Sequence, residues 1–353
     1  MSTGMRTRGP RRRRLRLSAR TVMVAAVATA TALVTSAAGA APAPAPEADH
    51  GSGWRISRAG ELSPEAGLTA VTTAGEDAAW AVGQQGFAGS ATGTVLKWNG
   101  RSWTEDSAPG LPEVKYWHAV SAVSARDVWA YGWDETEETM ARYDGRQWRR
   151  VALPELPGGA QHGFSELAAV PGRTWFAGGR WISTHARGTW TTTDLGVGTV
   201  VTDVYARSAR DAWAVGGFAL VGQPSRPVAL HWDGARWTDV PLPFPGIRLA
   251  DVYAESARSV WVSGYTSPVG EDGLRPKVLH WDGATWRDVT GPIKDISPDA
   301  LSGDGRGGVW FSGDPAGWEG PPVFWHFARD RWTRTEGATV SYELIERSPR
   351  SSR

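Results

Sequence analysis

Apolar and polar residues alternate in short runs along most of the chain, and the runs return in a fixed order. Leu249 to Ala254 and Val260 to Gly264 follow the two-residue period of strands, with a polar turn between them. After a loop of variable length, Lys277 to Trp281 and Trp286 to Val289 supply two further runs, joined by Asp282-Gly283. The same order recurs elsewhere. Val252 to Trp261 echoes Val204 to Trp213, and Val120 to Trp129 shares the ten-residue frame. Val71 to Trp80 and Leu301 to Trp310 are weaker copies, and Leu167 to Trp175 is one residue shorter. In the second half of the unit, Leu279 to Trp286 matches Leu230 to Trp237, Leu96 to Trp103 and Ala141 to Trp148. The copies ending at Trp190 and Trp332 keep the Trp without the turn dipeptide.

Each unit therefore predicts four antiparallel strands, A to D. Asp-Gly and Asn-Gly suit a tight C–D hairpin, because both residues tolerate positive φ and so match the strand twist. Four-stranded units repeated around a ring make an all-β fold, a β-propeller. Strand-B tryptophans fall at 80, 129, 175, 213, 261 and 310, and strand-D tryptophans at 54, 103, 148, 190, 237, 286 and 332. Six of one and seven of the other predict a seven-bladed design with an incomplete last blade. Trp54 would be its outer strand, and Tyr342 to Ser351, which resembles Ala250 to Ser259, its inner one. The alternative is six complete blades with an extra strand at each end. The end at Arg353, where a further strand-B Trp is due, also leaves open a truncated gene product without function.

Composition adds a compartment. Residues 1–40 hold eight arginines and no acid, an uncharged run from Thr21 to Val34, and Ala38-Gly39-Ala40 as a small-x-small cleavage site. This reads as an export signal, whose apolar run of about 14 residues falls short of the roughly 20 a membrane span needs. Arg13-Arg14 leaves the general and twin-arginine routes both open. Residues 41–53 form an Ala/Pro-rich linker, and 54–353 the propeller. Secretion to the extracellular space follows, with no membrane association after cleavage. The net charge of +1 becomes −7 beyond residue 40, where 30 basic residues face 37 acidic ones. That balance removes the basic footprint of a nucleic-acid binder. The absence of Cys excludes disulfides, thiolate metal sites and a cysteine nucleophile.

Chain direction assigns a binding face. B–C and D–A connections leave a blade on one side and carry nearly all the length variation, whereas A–B and C–D turns are short. Variable loops on a rigid scaffold are where binding residues concentrate. The non-repeated aromatics Phe87, Tyr116, Trp117, Trp133, Phe218, Tyr265 and Trp318 belong to or border these loops and form the candidate ligand surface. No catalytic residue, metal site or cofactor is expected. His231, His280 and His326 occupy one repeated position in three blades and cannot share an ion. Asp134, Glu135, Glu137 and Glu138 read as a solvated acidic tip, and Asp203 and Asp251 as repeat positions rather than a catalytic pair.

The motifs Asp211-Ala212-Trp213-Ala214-Val215-Gly216 and Leu230-His231-Trp232-Asp233-Gly234-Ala235-Arg236-Trp237 resemble repeats of secreted bacterial propellers related to sialidase-like and galactose-oxidase-central-domain-like proteins. The resemblance covers about residues 54–353 and implies the fold alone. The turn lacks one residue of the sialidase Asp-box, and galactose-oxidase chemistry needs the Cys this chain lacks. The expected function is a secreted, monomeric, non-enzymatic recognition or scaffold propeller whose partner is a glycan, peptide or envelope component. The alternative is a propeller lyase or glycoside hydrolase with carboxylates drawn from several blades.

Overall fold

A computed structural model describes residues 62–63, 66–86, 90–134, 136–163, 165–219, 226–266, 274–294, 296–315 and 321–337. These form six four-stranded antiparallel sheets, each a blade in chain order. Blade 1 is β1 (Gly67–Thr73), β2 (Ala79–Gln85), β3 (Thr92–Trp98) and β4 (Trp103–Glu105). Blade 2 is β5 (Tyr116–Ser124), β6 (Asp127–Trp133), β7 (Glu138–Tyr143) and β8 (Trp148–Val151). Blade 3 is β9 (Glu166–Val170), β10 (Arg173–Gly178), β11 (Trp181–Ala186) and β12 (Thr189–Asp194). Blade 4 is β13 (Thr199–Ser208), β14 (Asp211–Phe218), β15 (Arg226–Trp232) and β16 (Trp237–Asp239). Blade 5 is β17 (Arg248–Ser256), β18 (Ser259–Thr266), β19 (Arg275–Trp281) and β20 (Trp286–Asp288). Blade 6 is β21 (Ile296–Gly303), β22 (Val309–Pro315), β23 (Val323–Ala328) and β24 (Arg331–Glu336).

The propeller and its four-stranded blade are as the repeat predicts. Among the described residues the blade number is six, the alternative count. Trp54 and the 342–353 copy, on which the seven-blade reading rested, lie outside the described residues. No helix among the described residues is long and apolar enough to cross a membrane.

The C–D turns invert the sequence expectation. Where Asx-Gly is present, the loop has four residues and only the glycine takes positive φ: Gly100 (88°), Gly145 (91°), Gly234 (103°) and Gly283 (96°). The Asx side chain does the turning. Asp282 Oδ1 accepts the amides of Ala284 (2.9 Å) and Thr285 (2.8 Å), and Asn99, Asp144 and Asp233 repeat the arrangement. These amides hold the Asp282 carboxyl down at about 2. The tight two-residue turns occur where the dipeptide is missing. Arg187 (53°) and Gly188 (82°) close blade 3, and Arg329 (52°) and Asp330 (57°) close blade 6. The tighter turn lets the outer strand pair over its full length, six residues in each case, against three or four elsewhere.

Between blades the core follows one rule. The strand-B Trp of each of blades 1 to 5 is driven into the outer aromatic pair of the next. Trp80 meets Tyr143 at 6.4 Å, Trp129 meets Trp190 at 6.4 Å, and Trp175 meets Trp232 at 6.4 Å. Trp213 meets Trp286 at 6.3 Å, and Trp261 meets Phe327 at 5.1 Å. The five indoles are between 0% and 3% exposed. Edge-to-face and tilted pairs of this kind stabilise beyond their buried area by about 0.5–1.5 kcal/mol each. Within a blade, the approach of strand A to strand B at the strand-A bulge is set by a repeated glycine in strand B. A Cβ on Gly216 would fall onto the carbonyl oxygen of Val200, and Gly83, Gly132 and Gly264 meet the equivalent carbonyls of Gly67, Tyr116 and Arg248.

At the centre, side chains of one inner strand bind the backbone of the next. Thr69 Oγ1 donates to Trp117 O (2.8 Å), and Thr72 Oγ1 accepts from Ala122 N (3.1 Å). Ser121 Oγ accepts from Ala169 N (2.9 Å), and Thr202 Oγ1 donates to Leu249 O (2.9 Å). These bonds fix the rotation between neighbouring sheets and bring their upper ends, where strand A begins, to a common level.

Candidate functional site

Strand A of every blade starts on the B–C/D–A face, so its first residues stand at the mouth of the ring. A bulge follows, at Trp117/Ala119 in blade 2, Val201/Asp203 in blade 4 and Leu249/Asp251 in blade 5. Counting from the Trp-paired position, Glu166, Asp203 and Asp251 occupy equivalent places in blades 3, 4 and 5. His118 stands at the bulge of blade 2. The fold thus brings three carboxyls and an imidazole, from four successive blades, to one level of the inner wall.

Two halves differ in chemistry. Asp203 and Asp251 are hydrogen-bonded to one another, and both are tied to backbone. Asp203 Oδ1 accepts from Val204 N (2.8 Å) and Oδ2 from Val252 N (2.8 Å), while Asp251 Oδ2 accepts from Leu301 N (3.2 Å). Asp203 keeps some solvent-accessible surface, yet protein surrounds its carboxyl. That desolvation, then the charges of Asp251 and Glu166, holds its carboxyl well above the usual carboxylate range. The pair links blades 4, 5 and 6.

The other half opens to the face. His118 Nε2 lies 3.4 Å from Glu166 Oε1, with side chains 10% and 23% exposed. The Trp133 ring covers His118 at 5.1 Å between centroids, and Tyr116 and Tyr131 flank Trp133 at 6.4 and 6.0 Å. Behind this platform a dense polar network anchors the D–A loop of blade 3. Glu138 accepts from Tyr131 Oη (2.9 Å) and Gly163 N (2.9 Å), and its Oε2 lies 2.8 Å from His162 Nδ1. Burial opposes ionisation of Glu138, but the bonds from His162, Gly163 and Tyr131 together keep its carboxyl below the ordinary value. Burial and the Glu138 charge push the Tyr131 phenol far upward. Ser165 Oγ donates to the backbone oxygen of His162 (3.0 Å), not to a ring nitrogen.

The loop aromatics separate by the side of the strand they occupy. Tyr116 and Trp133, paired in register across the end of blade 2, are both half-buried at the mouth. Trp117, one residue on, is fully buried between blades 1 and 2, where Gly93 and Gly132 leave room for its ring. Phe218 is half-buried at the end of β14 with the Arg226 guanidinium 4.8 Å from its ring centre, and Tyr265 pairs with Arg248 and Pro276 in blade 5. Phe87 and Trp318 lie outside the described residues.

The repeated histidines are structural. His231, His280 and His326 stack on the strand-B Trp of their own blade at 4.6, 4.1 and 4.2 Å. The acidic segment is engaged rather than free. Asp134 accepts the amides of Thr136 and Glu137, Glu137 pairs with Arg150 at 2.6 Å, and Glu138 turns inward. No group of three or more acids and histidines that could hold a metal ion occurs among the described residues. His118 and Glu166 carry no local motif. Their signal is positional, nine to ten residues before the strand-B Trp in Glu166, Asp203 and Asp251, and it becomes readable once the bulges are placed.

No protein-family model and no curated protein sequence matches the chain. Solved structures do. The chain is similar to the GH74 xyloglucanase from Xanthomonas campestris, at 15% identity and a TM-score of 0.57 over 78% of this chain and 46% of that one. It is also similar to the extracellular domain of a one-component system from B. thetaiotaomicron (11%, TM-score 0.52, 81% and 35%). A third is the acylaminoacyl peptidase of Pyrococcus horikoshii (10%, TM-score 0.50, 79% and 48%). The chain spans about half or less of each. At these identities the likeness establishes a shared β-propeller fold.

Proposed function

We propose that this chain is an exported carbohydrate-recognition propeller that seats a glycan at the mouth of the ring on the B–C/D–A face. The observation that carries the reading is the Trp133 ring lying over His118, which in turn stands 3.4 Å from Glu166. A sugar offers a flat C–H face for an aromatic ring and hydroxyls for a carboxylate and an imidazole, and a mostly apolar platform with a few convergent polar groups is what such a site requires. Tyr116 widens the platform. The arginine-rich leader supports encounter with the glycan outside the cytoplasm. The test is a glycan-binding screen with the full chain, followed by titration of any hit. Trp133→Ala should weaken binding about 30-fold, the scale of an aromatic anchor worth about 2 kcal/mol. Glu166→Gln should weaken it less, and Phe218→Ala least. Retained affinity in Trp133→Ala and Glu166→Gln together sinks the proposal.

One observation favours a second reading, glycoside hydrolysis. Carboxyls from three successive blades converge, and burial beside Asp251 and Glu166 holds that of Asp203 well above the usual carboxylate range. Against it, both Asp203 oxygens already serve backbone amides. Release of reducing sugar from oligosaccharides, lost in Asp203→Asn, would support catalysis.

A further inference from the structure

In blades 2, 4 and 5, strand B carries a polar couple two residues before its Trp. Asp127 accepts from Arg142 Nε and Nη2 at 2.7 and 2.8 Å. Asp211 Oδ1 lies 3.0 Å from His231 Nε2, and Ser259 Oγ lies 3.1 Å from His280 Nε2. In each couple the partner stands opposite the strand-B Trp, in strand C. Arg142, His231 and His280 pair in register with Trp129, Trp213 and Trp261. Blade 3 breaks the couple on both sides. Arg173 stands two residues before Trp175, where the others place an acid or a hydroxyl, and Thr184 stands opposite that Trp.

Arg173 is left as a cation without an anion. Its guanidinium lies in the seam between blades 3 and 4, 5.8 Å from the ring centre of Trp175 and 5.0 Å from that of Trp232. Trp232 is held there by its indole N–H, which donates to Ala209 O (3.3 Å). Arg173 Nε and Nη1 are closed off from solvent, and neither has a hydrogen-bond partner among the described residues. Indole faces attract the charge but offer no acceptor to an in-plane N–H. A buried donor left unpaired is costly, and a charged one more so. Burial, and then the like charge of Arg187 in the C–D turn of the same blade, both work against the Arg173 cation. Arg187 is exposed and Arg173 half-buried, so the pair is reached from the A–B/C–D face.

We propose that Arg173, with Arg187 adding charge, forms a binding site for an oxyanion, a carboxylate or a sulfate or phosphate ester, at the seam of blades 3 and 4 on the A–B/C–D face. The planar fork of a guanidinium matches such oxygens two at a time, and the flanking indoles hold it in orientation. A seated anion supplies in blade 3 what Asp127 and Asp211 supply in their own blades. The site lies on the face opposite Trp133 and Glu166, so it does not rest on the glycan reading.

Calorimetric titration of the full-length chain tests it, with sodium sulfate, inorganic phosphate and sodium acetate as probes and ionic strength held constant with sodium chloride. At least one probe should saturate and raise the melting temperature as it does so. Sulfate or phosphate ahead of acetate assigns an ester, and the reverse order a carboxylate. Arg173→Met should weaken binding at least about tenfold and Arg187→Gln about threefold. Arg101→Gln, in the exposed C–D turn of blade 1, should leave it unchanged. Failure of every probe to saturate overturns the proposal, because it leaves only general screening of charge. Equal affinity in Arg173→Met also overturns it. Should that variant fail to fold, unchanged affinity in Arg187→Gln, whose side chain is exposed, has the same force.

Discussion

Trp213→Ala is the sharpest test of how the blades hold together. The indole is 1% exposed, lies 4.6 Å from the His231 ring and meets Trp286 of blade 5 at 6.3 Å and 90°. It packs in a cluster with Val215, Ile247, Leu249, Val252, Val260 and Leu279. Truncation leaves a cavity lined by two blades that cannot collapse without moving their inner strands, so the loss should reach about 3–5 kcal/mol. Of this, about 0.5–1.5 kcal/mol belongs to the Trp213–Trp286 contact and should appear as coupling when Trp286→Ala is combined with it. Domains of this kind are stable by about 5–15 kcal/mol, so about a fifth or more of the total is at stake. Urea unfolding followed by fluorescence gives the loss as a lower midpoint at unchanged slope. In a thermal melt, about 2 °C per kcal/mol for a domain of this size gives a drop of about 6–10 °C. A loss under about 1 kcal/mol, or no coupling to Trp286, refutes the wedge as the unit of cohesion.

Gly216→Ala should destabilise by about 1–3 kcal/mol, read by the same unfolding curves, because the new methyl group meets the Val200 carbonyl and strand A must shift. A neutral result would mean that the inner strands are not in close contact there. The Asp203–Asp251 pair predicts a pH effect. The native pair keeps a proton that the unfolded chain releases near pH 4, so stability should fall as pH rises from about 4 to the raised native value. The slope is at most about 1.4 kcal/mol per pH unit for the one proton. Asp251→Asn removes the charge that helps hold the proton and should flatten the slope, and an identical slope in that variant would rule out the pair as its source.

The blade was legible because its determinants are local and repeated. Trp213 and Trp261 recur in frame, and alternation alone assigns Val204 and Val252 to strands. The turns were misread because Asp233-Gly234 matches a two-residue signal while its carboxylate prefers to bind two amides, which needs a longer loop. Blade 3 is one residue short since it lacks the second bulge of blades 2, 4 and 5, a property of pairing rather than of any one residue. The candidate site was half legible. Tyr116 and Trp133 stood out as unrepeated aromatics, but Trp117 points to the opposite side of the strand and into the core. His118 and Glu166 are 48 residues apart and became neighbours through the angle between two sheets, which no local pattern encodes.

The hydroxyls and carboxyls spanning adjacent inner strands have one more implication. Thr69, Thr72, Ser121, Thr202, Asp203 and Asp251 are already employed in keeping the wheel true, so the hub offers little unspent polarity to a guest. Selectivity can then drift at the rim, by exchange of strand-end residues such as Tyr116 or Phe218, while the hub stays fixed. Scaffold and specificity are in that sense separately inheritable.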